Sequence, residues 1–417
     1  MLFTSWPNPN KQFINLGLER ISELLARLNN PQNNLPPVVH IAGTNGKGST
    51  LAFIKSILQT AGYRVHSYTS PHLVEFNERI ELANKMISDD FLNEVSEQCR
   101  IASLKDQPID LSFFEGTTAM AFLAFSKIKG DILLLETGLG GEFDATNVVE
   151  QVLASIITTI DFDHQEYLGK TLKEIAKAKA GIIKKDCLTI STNQHQEVIE
   201  VIENKAKKLN SNLIYANHIE FNFDNLELGL HGQHQLQNAQ LAVSFIKNQK
   251  LFKISDQQIK IGLQNAQWRG RLERINDPKI LKLLPNNCQF YIDGSHNLQG
   301  ANTVNNFLKK FKDKKITLIF SMLKDKPCEE FLTTIINSKD YQISEIILTT
   351  IPNQHRSMSL EELEKIIKKF NVKYFCLANY QQIFEKINHL QSQVAVLTGS
   401  LYLVGDFLAK SLNKDFG

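Results

Sequence analysis

The sequence lacks the cysteine pattern that staples small folds together. Its five cysteines, Cys99, Cys187, Cys288, Cys328 and Cys376, are odd in number, far apart, and form no C-x-x-C pair. This excludes a disulfide framework and a zinc cage, and fits reduced thiols in a reducing compartment. No apolar run reaches the roughly 18 residues that a membrane-spanning helix needs. Met1–Asn10 contains Pro7 and Pro9 and no apolar stretch, so no signal peptide is expected and the protein is read as cytoplasmic. Neither sign of charge dominates: Lys+Arg 46 against Asp+Glu 44 gives a net charge of +2. That balance argues against a nucleic-acid partner, whose phosphates demand a basic surface. Low-complexity tracts and short-period repeats are absent too.

What is present is a long chain with an ordinary apolar share. The 417 residues, 42% of them apolar, exceed what one core usually serves, and predict two domains. Short apolar runs at Val38–Ala42, Val65–Tyr68, Asp131–Glu136, Val152–Ile160 and Leu188–Thr192 read as strands. Helical spacing appears between them, at Ser49–Ala61, Phe113–Lys127 and Thr171–Lys184. A second series follows: strands at Phe290–Ile292, Ile316–Phe320, Ile343–Thr349 and Val394–Leu397, helices at Gly300–Lys310 and Ser359–Lys369. Such alternation predicts an α/β fold with mainly parallel sheets flanked by helices. The polar segment Asn265–Pro278 marks the junction, giving domains of residues 1–267 and 268–417.

The segment Gly43-Thr44-Asn45-Gly46-Lys47-Gly48-Ser49-Thr50 follows a predicted strand and opens a predicted helix. Glycines there let backbone N–H groups approach phosphates, and the helix N-terminus adds a positive field. Lys47 can reach the β- and γ-phosphates, and Ser49 or Thr50 can ligate Mg²⁺. The spacing departs from G-x-x-x-x-G-K-[ST], because Gly48 separates Lys47 from the hydroxyls.

Three further loops leave strands on the same sheet edge. Glu136 ends one strand, either as a Mg²⁺ partner or as a solvated strand end. Asp161-Phe162-Asp163-His164 follows another, with His164 either a ligand or a structural imidazole. Thr69-Ser70-Pro71-His72 follows a third, where Ser70 offers an oxygen to a hard cation. Lys179, in Ala176–Gly181, looks like an ordinary solvated helix lysine.

Taken in order, GTNGKGST, TSPHL, LETGLGGEFDATN, DHQEYLG, KAGI, HQLQNAQLA, WRGRLE, DGSHN, MLKDK and GSLYLVGDF resemble the dihydrofolate synthase/folylpolyglutamate synthase family. This is the folate branch of the Mur ligase superfamily. The matches run from Leu16 to Phe407, nearly the whole chain. The resemblance implies a P-loop domain followed by a smaller Rossmann-like domain, with the active site in the cleft between them. It implies that Ser70, Glu136 and His164, with Ser49, hold two Mg²⁺ ions, and that Lys179 is carbamylated. It implies ATP contacts from Asn45, Gly46, Lys47, Gly48, Ser49, Thr50, Asn238, Arg271 and Asp293, catalytic roles for Lys47, Lys179 and His296, and a K⁺ requirement. The pterin is expected against Ser112, Phe113, Phe114 and Glu115, against Phe143, Asp144 and Ala145, and against Ile14, Asn15, Leu16 and Gly17. The sequence departs from the family pattern at Ala178, Glu142 and Phe162, where Glu, Arg and a small or aliphatic residue are common.

The expected function is ATP-dependent addition of L-glutamate to dihydropteroate and to reduced folates by a monomeric, bifunctional enzyme. A folylpolyglutamate synthase with only one activity is the alternative. A Mur-type cell-wall ligase carries an extra N-terminal domain, yet here the phosphate loop already begins at Gly43, leaving less than the roughly 50 residues a domain needs. A P-loop switch needs no second α/β domain and no folate motifs.

Overall fold

The structure, a computed structural model, describes residues 6–8 and 16–413. They divide into two compact units: the chain up to Gly229 with Gln235–Gln267, and Leu230–His234 with the chain from Trp268 onward.

The first unit is built on one sheet of β1 (Val38–Ala42), β2 (Val65–Tyr68), β3 (Ile80–Leu82), β4 (Lys85–Met86), β5 (Ile132–Glu136), β6 (Ala154–Ile157), β7 (Leu188–Ser191) and β8 (Asn212–Tyr215). The spatial order is β4-β3-β2-β5-β1-β6-β7-β8. Strands β2, β5, β1, β6, β7 and β8 run parallel, and β3 and β4 add an antiparallel hairpin at one edge. Every position of β1 and β5 is buried, which is why both read as unbroken apolar runs.

Helices α1 (Glu19–Arg27), α2 (Lys47–Thr60), α3 (Asp89–Leu104), α4 (Phe113–Lys127), α5 (Gln165–Leu168), α6 (Leu172–Ala180), α7 (Gln196–Lys208), α8 (His234–Asn248) and α9 (Asp256–Asn265) cover the sheet. Leu133 and Leu135 join the core formed with α1, α3 and α4. Alternation turns their neighbours to the opposite face, where α2 packs on β1, β2, β5 and α9. The parallel strands send their carboxyl ends to one edge, with β1 central, the topological position where α/β sheets bind ligands.

The second unit has β9 (Glu273–Arg274), β10 (Gln289–Ile292), β11 (Ile316–Phe320), β12 (Ile343–Leu348), β13 (Lys373–Cys376) and β14 (Val394–Thr398). Their order is β13-β12-β11-β14-β10-β9, parallel except for β9. The expected α/β class with two mainly parallel sheets is what the chain adopts. Individual elements are trimmed. The run Val152–Ile160 pairs only over Ala154–Ile157, because from Thr158 onward its backbone serves the phosphate loop. The helix expected over Thr171–Lys184 ends at Ala180. Among the described residues, no helix is long and apolar enough to cross a membrane.

Candidate active site

The phosphate loop leaves β1 and is stitched to the exit of β6. Thr44 N and Asn45 N donate to Thr159 O at 2.8 and 3.3 Å, and Thr44 Oγ1 donates to Asp161 O at 2.9 Å. Gly46 adopts φ +90°, and a Cβ there would stand 2.4 Å from Asn238 Oδ1, so the turn into α2 needs glycine. Helix α2 begins without a side-chain cap, leaving its first N–H groups for an anion. Asn238 accepts from Thr50 Oγ1 at 3.4 Å and donates to Gln235 Oε1 at 2.9 Å, while Gln235 Nε2 lies 3.4 Å from Ser49 Oγ. Gln235 and Asn238 are three residues apart on α8 and so share the face turned to the loop.

Lys47 Nζ donates to Gly43 O at 3.1 Å and stands 4.0 Å from Glu136 Oε1. Glu136 is buried at the end of β5, and its other oxygen accepts from Ser70 N at 3.4 Å. Lys47, Glu136 and Ser70 are thus brought together from three strand ends. His164 sits at φ +48° before α5, its ring 40% exposed and its Nε2 3.6 Å from Asp163 Oδ2. Among the described residues, no three His, Cys, Asp or Glu side chains form a ready-made metal cage. The oxygens on this edge, one buried carboxylate with the hydroxyls of Ser70 and Ser49, suit Mg²⁺, which draws its remaining ligands from phosphates and water.

Lys179 is buried, unlike a solvated helix lysine, and donates to Gly43 O at 3.0 Å, an acceptor it shares with Lys47. Burial, aided by the Lys47 charge, pushes its pKa down to about 7.

Of the expected pterin segments, Ser112–Glu115 opens α4 against the loop that follows Glu136. Ser112 caps α4: its hydroxyl accepts from Glu115 N, and the Glu115 carboxylate accepts from Ser112 N at 2.8 Å. Arg20 of α1 donates to Glu115 Oε2 at 3.3 Å and pairs with Oε1 at 3.0 Å. The Phe114 ring lies over Gly138, where a Cβ would come within 2.4 Å. Phe113 is half-buried against Phe76 and Arg79. Phe143 is 53% exposed, whereas Asp144 and Ala145 are buried. Leu16 is exposed and Gly17 half-buried; Ile14 and Asn15 lie outside the described residues.

In the second unit, Asp293 at the end of β10 is buried and accepts from Leu272 N at 3.0 Å and Ser295 N at 2.9 Å. It thereby ties the turn carrying Arg271 to the DGSHN loop. His296 Nδ1 donates to Gly294 O at 2.9 Å, which fixes the ring proton on that nitrogen.

The sequence reading passed over Gln235, Arg79, His40 and Thr146. Arg79 donates to His72 Nδ1 at 2.8 Å and lies over the Phe76 and Phe113 rings. The i, i+3 spacing of Gln235 and Asn238 was a usable signal. His40 and Thr146 offer none, because they are 106 positions apart and meet only in the fold, and Arg79 stands in no motif that would single it out.

Residues 277–410 match the family profile described as dihydrofolate synthetase, C-terminal domain. A dihydrofolate synthase/folylpolyglutamate synthase of Bacillus subtilis is 33% identical, with 96% of each chain covered. The chain belongs to the dihydrofolate synthase/folylpolyglutamate synthase family. Members are ATP-dependent ligases of folate metabolism, the class that the ordered motifs implied. Among solved structures, a folylpolyglutamate synthase of Thermotoga maritima superposes with a TM-score of 0.81 at 32% identity, covering 97% of this chain and 95% of that one. A bifunctional family member from Yersinia pestis, complexed with AMPPNP and Mn ion, gives 0.82 at 26% identity, covering 96% and 95%.

Proposed function

We propose that the chain is bifunctional, joining L-glutamate to dihydropteroate and to reduced folates, with ATP consumed and ADP and phosphate released. The observation that carries this is the convergence, on one sheet edge, of Lys47, buried Glu136 and Ser70 with the Ser112–Glu115 segment laid over Gly138. The Bacillus subtilis relative bears both activities in its name, which supports the dual reading.

A carboxylate resists attack by an amine because its leaving group is poor. Transfer of the γ-phosphoryl group to a carboxylate oxygen breaks the bond to ADP and forms an acyl phosphate. The α-amine of glutamate then adds to the acyl carbon, phosphate departs, and the amide remains. Lys47 and the N–H groups opening α2 stabilise charge on the phosphoryl oxygens. Ser49, Ser70, Glu136 and His164 are the proposed Mg²⁺ ligands. Bound there, the ion supplies further neutralisation of phosphoryl charge. Asn45–Thr50 and Asn238 are assigned to the nucleotide on geometry, and Arg271 and Asp293 on their motifs. Catalytic assistance by His296 belongs to the same proposal. Lys179 is assigned as a carbamate, for which its depressed pKa and the adjacent Lys47 cation are suited.

The test is glutamate-dependent ADP release by the purified protein, run with dihydropteroate and with tetrahydrofolate. Turnover with both is expected. Turnover with one would place the chain in a single-activity branch, and turnover with neither would overturn the reading.

A further inference from the structure

A buried polar chain runs from β1 to Asp144 through two residues, His40 and Thr146, that no role assigned so far uses. His40 is in the middle of β1, between β5 and β6, and is fully buried. A strand at that position has no local need of an imidazole, since its neighbours Val39 and Ile41 are aliphatic. Burying a polar ring is unfavourable unless it is hydrogen-bonded. His40 Nε2 lies 2.8 Å from Thr146 Oγ1, and Thr146 Oγ1 lies 2.5 Å from Asp144 Oδ1.

The direction of this chain follows from counting protons. Asp144 Oδ1 also accepts from Thr146 N at 3.0 Å, and Oδ2 accepts from Leu139 N at 2.7 Å. Both carboxylate oxygens are acceptors, so Thr146 commits its single hydroxyl proton to Asp144. Thr146 then meets His40 with a lone pair, and His40 Nε2 carries the proton. His40 Nδ1 is buried with no hydrogen-bond partner among the described residues. An imidazolium would leave a second N–H unsatisfied there, so the ring stays neutral. The order is His40 to Thr146 to Asp144, each donating to the next.

The three residues join two parts of the site. His40 is on the strand that runs into the phosphate loop three residues later, at Gly43. Asp144 organises the loop after Glu136: it holds Leu139 N, and its own N–H donates to Gly141 O at 3.2 Å. We propose that His40 is a positioning residue for the folate acceptor, holding Asp144 by way of Thr146 and so fixing the acceptor loop against the nucleotide-binding strand. This rests on the reading of Phe143–Ala145 as acceptor-facing.

Two substitutions separate this role from simple packing. His40→Gln keeps an N–H near the position of Nε2, and His40→Leu removes it. With the full-length enzyme, His40→Leu is expected to raise KM for dihydropteroate and tetrahydrofolate about tenfold, the scale of one lost buried hydrogen bond. KM for ATP should move less than about twofold, a change within the scatter of a surface-level effect. His40→Gln should restore most of the acceptor KM. If His40→Leu fails to fold, Thr146→Val removes the middle of the chain at nearly constant volume and should give the same split. Active wild type whose variants shift both KM values alike, or in which Gln behaves as Leu, overturns this inference alone. Wild type without acceptor-dependent turnover overturns the functional reading, and the inference with it.

Discussion

Lys179 shows how far a residue's chemistry departs from its appearance in the sequence. In Ala176–Gly181 its local pattern is that of a solvated helix cation; the family resemblance already set it apart, and its burial agrees with that. Two lysines donate to one carbonyl, Gly43 O, and two ammonium groups so close repel. With its pKa near 7, a large fraction of Lys179 is a neutral amine at physiological pH, the form that adds to CO₂. Enzyme stripped of CO₂ below pH 7 should therefore lose most of its turnover and regain it with bicarbonate above pH 7. A ¹³C-labelled carbamate signal should accompany recovery and be missing in Lys179→Met. Full turnover in that variant would show that the modification is idle. Glycine and lysine patterning made the strand–turn–helix at Gly43–Thr50 legible in advance. His40 and Thr146 were not, since they are 106 positions apart and meet only once the sheet is assembled.

At the level of elements, legibility followed burial. The central strands β1, β5 and β11 are buried at every position and read directly as apolar runs. The β3–β4 hairpin, β8, β9 and β13 escaped notice. Each is short and lies on or beside a sheet edge, where one row of side chains meets water and no continuous run forms. The start of α2 is the element on which the proposed phosphate binding depends most. Gly46→Ala would force a positive φ on a residue with a Cβ and push that Cβ into Asn238. Calorimetric titration with a non-hydrolysable ATP analogue should show affinity weakened about tenfold, corresponding to ~1.4 kcal/mol. Unchanged affinity would mean that phosphates bind elsewhere.

For the molecule as a whole, buried and half-buried histidines contribute to the response to acid: burial lowers the pKa of His66, and three others carry larger shifts. Burial pushes His40 down to about 3, and burial with a neighbouring arginine (Arg79 for His72, Arg271 for His234) pushes the other two down to about 4. An unfolded chain titrates these rings near 6.5, so between there and pH 4 it binds protons that the folded chain refuses. Stability is thus fully present above about pH 6.5 and declines as pH falls through that window. Urea midpoints measured from pH 7.5 to 4 should fall steadily, and His40→Gln should flatten the slope. An unchanged slope would mean that His40 takes up a proton in the folded state as well. The stitching of Thr44 and Asn45 to Thr159 has a different kind of consequence. Because the turn between β1 and α2 borrows its shape from a neighbouring connection, the stretch from Thr158 to His164 has a fixed length. A residue inserted or deleted there would be felt in a loop more than a hundred positions away, so this is the wrong place to graft a tag or open a permuted terminus.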